Sequence, residues 1–322
     1  MSLGTKLRRL LVDDDDGVVE STLRRYFRPQ PRFTAPFRYD WIPMPDLQAV
    51  LGDAEPGLYD AAARGVIDLA NAAEDALRRR RYAQRRRQRP EWPVVVCEGD
   101  SWVAHPMVDD IGDHLFCDAS NHFNVLNCGA AGDRLVTMER EREQETLVDQ
   151  VGAAGLVLSG GGNDLLVQFQ EFLQAWEPGQ PGEPSARIVT AALDARLSHV
   201  MEIMRRVLLG VRGRDPELPI IVHGYDYLRV GDPEQGPFLA LHFDAARIER
   251  AEERQATLDA IVDRYNDRLC ETTSEIEGVD YVDLRGTVPD DEWYDEIHPD
   301  SRGFRRVSDR IGGVLRQRLA ER

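Results

Sequence analysis

The feature that most constrains this chain is a change of pattern at Pro90 and Pro93. Beyond them, short β-branched runs alternate with helix-length stretches whose apolar residues recur every three or four positions. Five runs have strand length: residues 94–98, 124–127, 156–159, 220–223 and 280–283. Helical spacing dominates residues 133–151, 189–212 and 247–276. Strands separated by helices cannot pair as tight hairpins; they pair in parallel, with the crossover helices covering both faces. The predicted architecture is α/β: a three-layer α/β/α sandwich around a five-stranded parallel sheet.

The part before Pro90 reads differently. It holds loops rich in Pro and Asp, such as 27–36, and an apolar series at helical spacing: Leu58, Ala62, Val66, Leu69, Ala73 and Leu77. That series predicts an amphipathic helix. Eight arginines and no acid follow between Arg78 and Arg89, at the end where the helix dipole favours cations. In a chain of net charge −17, this is either a solvated tail facing an acidic remainder or a docking patch for an anionic partner or lipid headgroup. The expected organisation is therefore a mostly helical N-terminal extension, 1–90, followed by a sheet domain, 91–322.

Charge and composition exclude several classes. A net-negative chain is no general nucleic-acid or anionic-membrane binder. No apolar run approaches the roughly 18 residues of a membrane span. Leu10 to Val12, after Lys6, Arg8 and Arg9, is too short for a secretory signal, which predicts a cytoplasmic protein. Cys97, Cys117, Cys128 and Cys270 form no C-x-x-C pair, so reduced thiols are expected rather than a disulfide framework or structural zinc.

Ligands of open parallel sheets sit at the carboxyl ends of the strands, so chemistry is sought there. The first strand runs into Gly99-Asp100-Ser101-Trp102. A tight turn there would expose the Ser101 hydroxyl above the sheet, although Asp and Ser are also ordinary helix N-caps. The second ends in Asn127-Cys128-Gly129-Ala130-Ala131-Gly132-Asp133. Its glycines would let a backbone N–H approach an oxyanion, or simply make a βα turn. The third ends in Ser159-Gly160-Gly161-Gly162-Asn163-Asp164, where an Asn amide beside the serine could donate to developing negative charge. After the fifth comes Trp293-Tyr294-Asp295-Glu296-Ile297-His298-Pro299. An aspartate three residues before a histidine can orient the imidazole and stabilise its cation. His223, at the end of the fourth strand, is the competing base.

Taken together, the four blocks resemble the SGNH (GDSL) hydrolase family over about residues 95–315. The resemblance implies a flavodoxin-like sheet, and it implies Ser101 as nucleophile with His298 and Asp295 as its base and acid. The family's oxyanion hole carries over to Ser101, Gly132 (Gly129 being the alternative) and Asn163. The activity implied is ester hydrolysis through an acyl-enzyme on a small-molecule or lipid ester, with no metal or organic cofactor. Acyl transfer to another acceptor would use the same residues, and a non-catalytic scaffold on this fold is the reading from another class. Where the family name has Leu, this chain has Trp102, a departure expected to bear on substrate. Phe169, Phe172, Trp176, Phe238 and Phe243, in the connections 165–187 and 227–247, are expected to build an acyl pocket or lid, or else core. The absence of G-x-S-x-G argues against an α/β-hydrolase.

Overall fold

The computed structural model describes residues 27–31, 39–43, 75, 77–105, 108–118, 120–177, 180–231 and 238–321. The chain divides into two units, Met1–Gln88 and Arg89–Arg322. In the first, β1 (Phe27–Pro31) and β2 (Tyr39–Pro43) pair antiparallel, with Phe27 opposite Pro43 and Pro31 opposite Tyr39. This corrects the expectation of loop for residues 27–31; residues 32–36 of the same stretch lie outside the described residues. Proline is tolerated because both strands of a two-stranded ribbon are edges. Residues 77–88 are helical, in agreement with an arginine run at a helix end. Leu58, Ala62, Val66, Leu69 and Ala73 lie outside the described residues.

In the second unit, β3 (Val94–Glu98), β4 (Asn124–Asn127), β5 (Gly155–Leu158), β6 (Ile220–His223) and β7 (Val279–Val282) form one parallel sheet in the order β4-β3-β5-β6-β7. Every residue of β3, β5 and β6 is buried. Covered on both faces, such strands read as nearly continuous apolar runs rather than alternating ones. Counted within the sheet, the order is 2-1-3-4-5, the flavodoxin order, and the direction of winding reverses between β3 and β5. The crevice at the carboxyl ends of those two strands is therefore the favoured site for chemistry.

Eight helices of the described residues clothe this sheet: α1 (Ile111–Cys117), α2 (Leu135–Glu141), α3 (Glu143–Val151), α4 (Gly162–Leu166), α5 (Thr190–Arg212), α6 (Ala240–Ala245), α7 (Ala251–Ser274) and α8 (Ser301–Ala320). α1 packs on α8, while α2, α3, α4 and α7 gather round α5. On α5, Leu193, Leu197, Val200, Met204, Val207 and Val211 make one buried stripe, each side chain contributing about 1.5–3 kcal/mol of burial. The helix expected over 133–151 is split at Arg142, which adopts φ 53° and ψ 35°. No glycine marks that break. α8 begins three residues after His298, and the carboxylate of its N-cap, Asp300, accepts from the Arg302 and Gly303 N–H groups. Phe304, Val307, Ile311 and Leu315 then anchor it in the core, fixing the position of the turn that precedes it.

Candidate active site

Ser101 sits in the turn that leaves β3. Gly99 enters that turn at φ 154°, and a Cβ there would lie 2.6 Å from the Ser159 Cβ, so only glycine brings the turn against the end of β5. Asp100 holds the turn in place. Its carboxylate accepts from Trp102 N–H (3.0 Å), the Ser159 hydroxyl (2.9 Å) and the Tyr225 hydroxyl (2.5 Å). Asp100 is thus a structural tie among three strand ends, and Ser101 is left facing the turn after β7.

That turn organises itself around one carboxylate. Asp295 accepts from the backbone N–H groups of Ile297 (2.9 Å) and His298 (2.8 Å), while its oxygens lie 2.8 and 3.0 Å from His298 Nδ1. The other imidazole nitrogen, Nε2, lies 2.7 Å from Ser101 Oγ. All three residues are buried at their side chains. Burial works to raise the Asp295 pKa, but the adjacent His298 charge, the His298 hydrogen bond, His105 and the Ile297 N–H together hold it below the ordinary carboxylate value. An ionised Asp295 draws the proton to Nδ1 and leaves Nε2 as the acceptor for the serine hydroxyl.

Trp102 clamps the two turns together. Its indole N–H donates to the Ile297 carbonyl at 3.1 Å, one residue from His298, and its ring is edge-on to Tyr225 and Phe304. With 3% of its surface exposed, Trp102 faces the protein interior. The expectation that it bears on substrate gives way to a role in alignment. The indole N–H in place of a leucine methyl is the signal in the sequence that points to it.

The remaining blocks flank the serine. In the turn after β4, the Gly129 N–H donates to Asn127 Oδ1 at 3.0 Å, whereas the Gly132 N–H makes no hydrogen bond to a described residue. That difference favours Gly132 over Gly129 as a donor to substrate. After β5, Gly161 takes φ 101°, and a Cβ there would meet the Tyr265 hydroxyl at 2.9 Å. The Tyr265 hydroxyl donates to the Gly160 carbonyl and the Gly162 N–H donates to the Tyr225 hydroxyl. Two buried tyrosines thus grip the glycine turn and set Asn163, whose Nδ2 donates to the Asp133 carbonyl at 2.7 Å. One amide hydrogen anchors the side chain and the second remains for a ligand.

His223, the competing base, is fully buried at the end of β6. Its Nδ1 lies 2.8 Å from the carbonyl of Gly224 and its Nε2 has no hydrogen-bond partner among the described residues. Burial holds its pKa below the ordinary value, so it stays neutral. The nearby Asp226 instead accepts from Tyr227, Gly286 and Val288 N–H groups, tying the loops after β6 and β7.

Sequence reasoning missed His105. Its ring centroid lies 4.6 Å from that of His298, at an interplanar angle of 66°. Ligand-type atoms of His105, Asp295 and His298 fall within 4.8 Å of one another. Asp295 and His298 are already bonded through their facing atoms, so a cation placed there would have to break that pair. The appearance of a histidine four residues after Ser101 was the available signal.

An apolar pocket of about 400 Å³, including its open mouth, lies beside α4. Gly162, Leu165, Phe169, Tyr225, Leu258 and Tyr265 are among its walls. Of the five aromatics expected at a pocket, Phe169 lines it. Phe172, Trp176, Phe238 and Phe243 are buried among the core side chains.

Fold and site define an ester-hydrolysing α/β enzyme of the esterase/lipase type. The family model for the GDSL-like lipase/acylhydrolase family matches residues 97–306, and the chain belongs to that family. No curated protein matches the chain. Among solved structures, it is similar to the extracellular lipase from Streptomyces rimosus, at 15% identity over 70% of this chain and 99% of that one, with a TM-score of 0.48. Phospholipase A1 from Streptomyces albidoflavus NA297 shows 15% identity, the same two coverages and a TM-score of 0.45. The lipase Lip_vut3 from goat rumen metagenome shows 15% identity over 70% of this chain and 97% of that one, at 0.47. Among the described residues, no helix is long and apolar enough to cross a membrane.

Proposed function

We propose that this protein cleaves a carboxylic ester through an acyl-enzyme on Ser101, with His298 as general base and Asp295 as its orienting acid. The single observation that supports this best is the continuous chain from Ser101 Oγ to His298 Nε2 at 2.7 Å and from Nδ1 to Asp295 at 2.8 Å. His298 takes the Ser101 proton as Oγ bonds to the ester carbonyl carbon. The oxyanion so formed accepts from the Ser101 and Gly132 backbone N–H groups and from Asn163. His298 then protonates the leaving alcohol as the ester C–O bond breaks. Water, deprotonated by His298, attacks the acyl-enzyme and releases the acid and free Ser101.

The proposed catalytic unit is 91–322, with 1–90 as an extension outside the chemistry. The apolar pocket beside Asn163 is proposed to take the acyl chain, since α4 carries the oxyanion amide and the pocket wall on adjacent residues. The test is turnover of a graded panel of p-nitrophenyl esters. Hydrolysis that is lost in Ser101→Ala supports the reading. Equal turnover by Ser101→Ala and the parent protein contradicts it.

A further inference from the structure

We propose that Glu296 is a positioning residue that selects for acyl chain length: a buried carboxylate of the catalytic turn that holds two walls of the apolar pocket. This rests on the reading of that pocket as the acyl site and deepens it. Glu296 follows Asp295, stands two residues before His298 and is 2% exposed. One of its carboxylate oxygens accepts from the Gly231 N–H at 3.1 Å and the other from the Leu239 N–H at 2.8 Å. The Phe238 and Ala240 N–H groups bond to the same carboxylate. The Glu296 carbonyl accepts from the Arg229 N–H at 2.8 Å. One residue of the catalytic turn thus gathers segments 228–231 and 238–240.

Each segment leads to a wall of the pocket. Leu228 lines it directly. Gln255 of α7 also grips this segment: its amide donates to the Leu228 carbonyl at 2.7 Å and its oxygen accepts from the Val230 N–H at 3.1 Å. Gln255 lies about one turn before Leu258, and Leu258, Ile261 and Tyr265 of the same helix supply more of the wall. Segment 238–240 opens α6, where the carboxylate satisfies N–H groups that have no partner within the helix. α6 then places Phe243 5.8 Å from Phe169, ring to ring, and Phe169 lines the pocket. Through Glu296, Leu228 and Phe169 are both set relative to the turn that carries His298.

A buried carboxylate is costly unless its oxygens are bonded, and here those bonds go to the backbone of the pocket segments. The catalytic turn has holds of its own. Asp295 accepts from the Ile297 and His298 N–H groups, and the Trp102 indole donates to the Ile297 carbonyl. Loss of the Glu296 bonds therefore loosens the pocket more than the triad. The cost falls on esters whose acyl chain reaches Leu228 and Phe169, and it falls on KM more than on kcat.

The test compares kcat and KM for p-nitrophenyl acetate and p-nitrophenyl octanoate. Assays run on the alkaline side of the value of about 7 to which burial pushes the Glu296 carboxyl, so that the parent carries the accepting carboxylate. Glu296→Gln keeps the size of the side chain and sets an amide NH2 against the backbone donors. It should lower kcat/KM for the octanoate about tenfold, mostly through KM, with a far smaller loss on the acetate. Leu228→Ala should also lose more on the octanoate, and the double variant should lose less than the product of the two single losses. Equal losses on both esters in a folded Glu296→Gln protein, or an unchanged octanoate KM, overturn the inference and leave the hydrolase reading standing. If Glu296→Gln does not fold, Gly231→Ala answers instead. Its Cβ would stand 3.1 Å from Glu296 Cγ and press the segment away, so the preference should shift in the same direction, and an unshifted preference overturns the inference. A parent protein that cleaves neither ester sinks the hydrolase reading and this inference with it.

Discussion

Two buried histidines close the carboxyl ends of neighbouring strands, and they have opposite characters. His298 is bonded on one nitrogen to a hydroxyl and on the other to a carboxylate. His223 meets a backbone carbonyl on one nitrogen and no described partner on the other. Each has an aspartate three residues away, Asp295 before His298 and Asp226 after His223. The direction of that offset decides the outcome. Asp295 folds back in its own turn and reaches the ring, whereas Asp226 points onward and binds Gly286 and Val288. Burial alone favours a neutral imidazole; burial with a carboxylate on Nδ1 is the arrangement that the proposed base requires.

The comparison breaks most sharply by mutation at the two rings. His298→Ala and Asp295→Asn should each lower kcat by about 10⁴-fold or more, as in other serine triads. His223→Ala should retain turnover on a small ester, with any change confined to substrate preference, because His223 packs 6.2 Å from Trp102. Comparable losses for both histidines, measured on folded variants by circular dichroism, would erase the distinction.

Asn163→Ala should lower kcat about 100- to 1000-fold with KM little changed, the range for deleting one oxyanion donor. Steady-state kinetics on a p-nitrophenyl ester checks this, and an unaltered kcat with acylation rate-limiting removes Asn163 from the chemistry. Trp102→Phe keeps the ring and deletes one hydrogen bond to Ile297. A bond worth about 1 kcal/mol predicts a loss of about five- to tenfold in kcat. A loss as large as that of His298→Ala would mean that Trp102 does more than align the two turns.

A pH effect on stability sharpens the contrast between ionised and neutral buried groups. Burial pushes the Glu98 carboxyl, at the end of β3, up to about 8, although the Cys128 thiol and Gly99 N–H donate to it. Asp133 and Glu296 are raised to about 7 by the same cause. Each holds a proton in the folded state that the unfolded chain releases near pH 4.5 or below. Folded protein thus binds more protons, and stability falls as pH rises from about 5 toward 8, by up to about 1.4 kcal/mol per pH unit for each group. Glu98→Gln should flatten the decline in melting temperature over that window. An unaltered slope would mean that Glu98 is ionised when folded. The smallest effect is expected at the arginine-rich helix, where neutralising Arg85, Arg86 and Arg87 together should leave turnover of a neutral ester unchanged.

The strands were legible because a buried parallel strand must be apolar along its whole length, and four of the site turns were legible because they follow such strands. What escaped was whatever depended on contacts across the sheet. The split at Arg142 has no glycine to announce it. The strand pair at Phe27–Pro31 was hidden by its prolines. α8 carries Phe304, Val307, Ile311 and Leu315 at helical spacing, but it follows the last strand instead of joining two, so the strand–helix alternation does not mark it. Trp102 owes its place to a partner almost two hundred residues away, the Ile297 carbonyl, which no local pattern can supply.

The most direct test is labelling by a fluorophosphonate, read as an intact-mass shift and mapped to a peptide. The account predicts one adduct, on Ser101, in the parent protein and in His223→Ala, and none in His298→Ala over the same time. Normal labelling of His298→Ala together with loss of labelling in His223→Ala would contradict it.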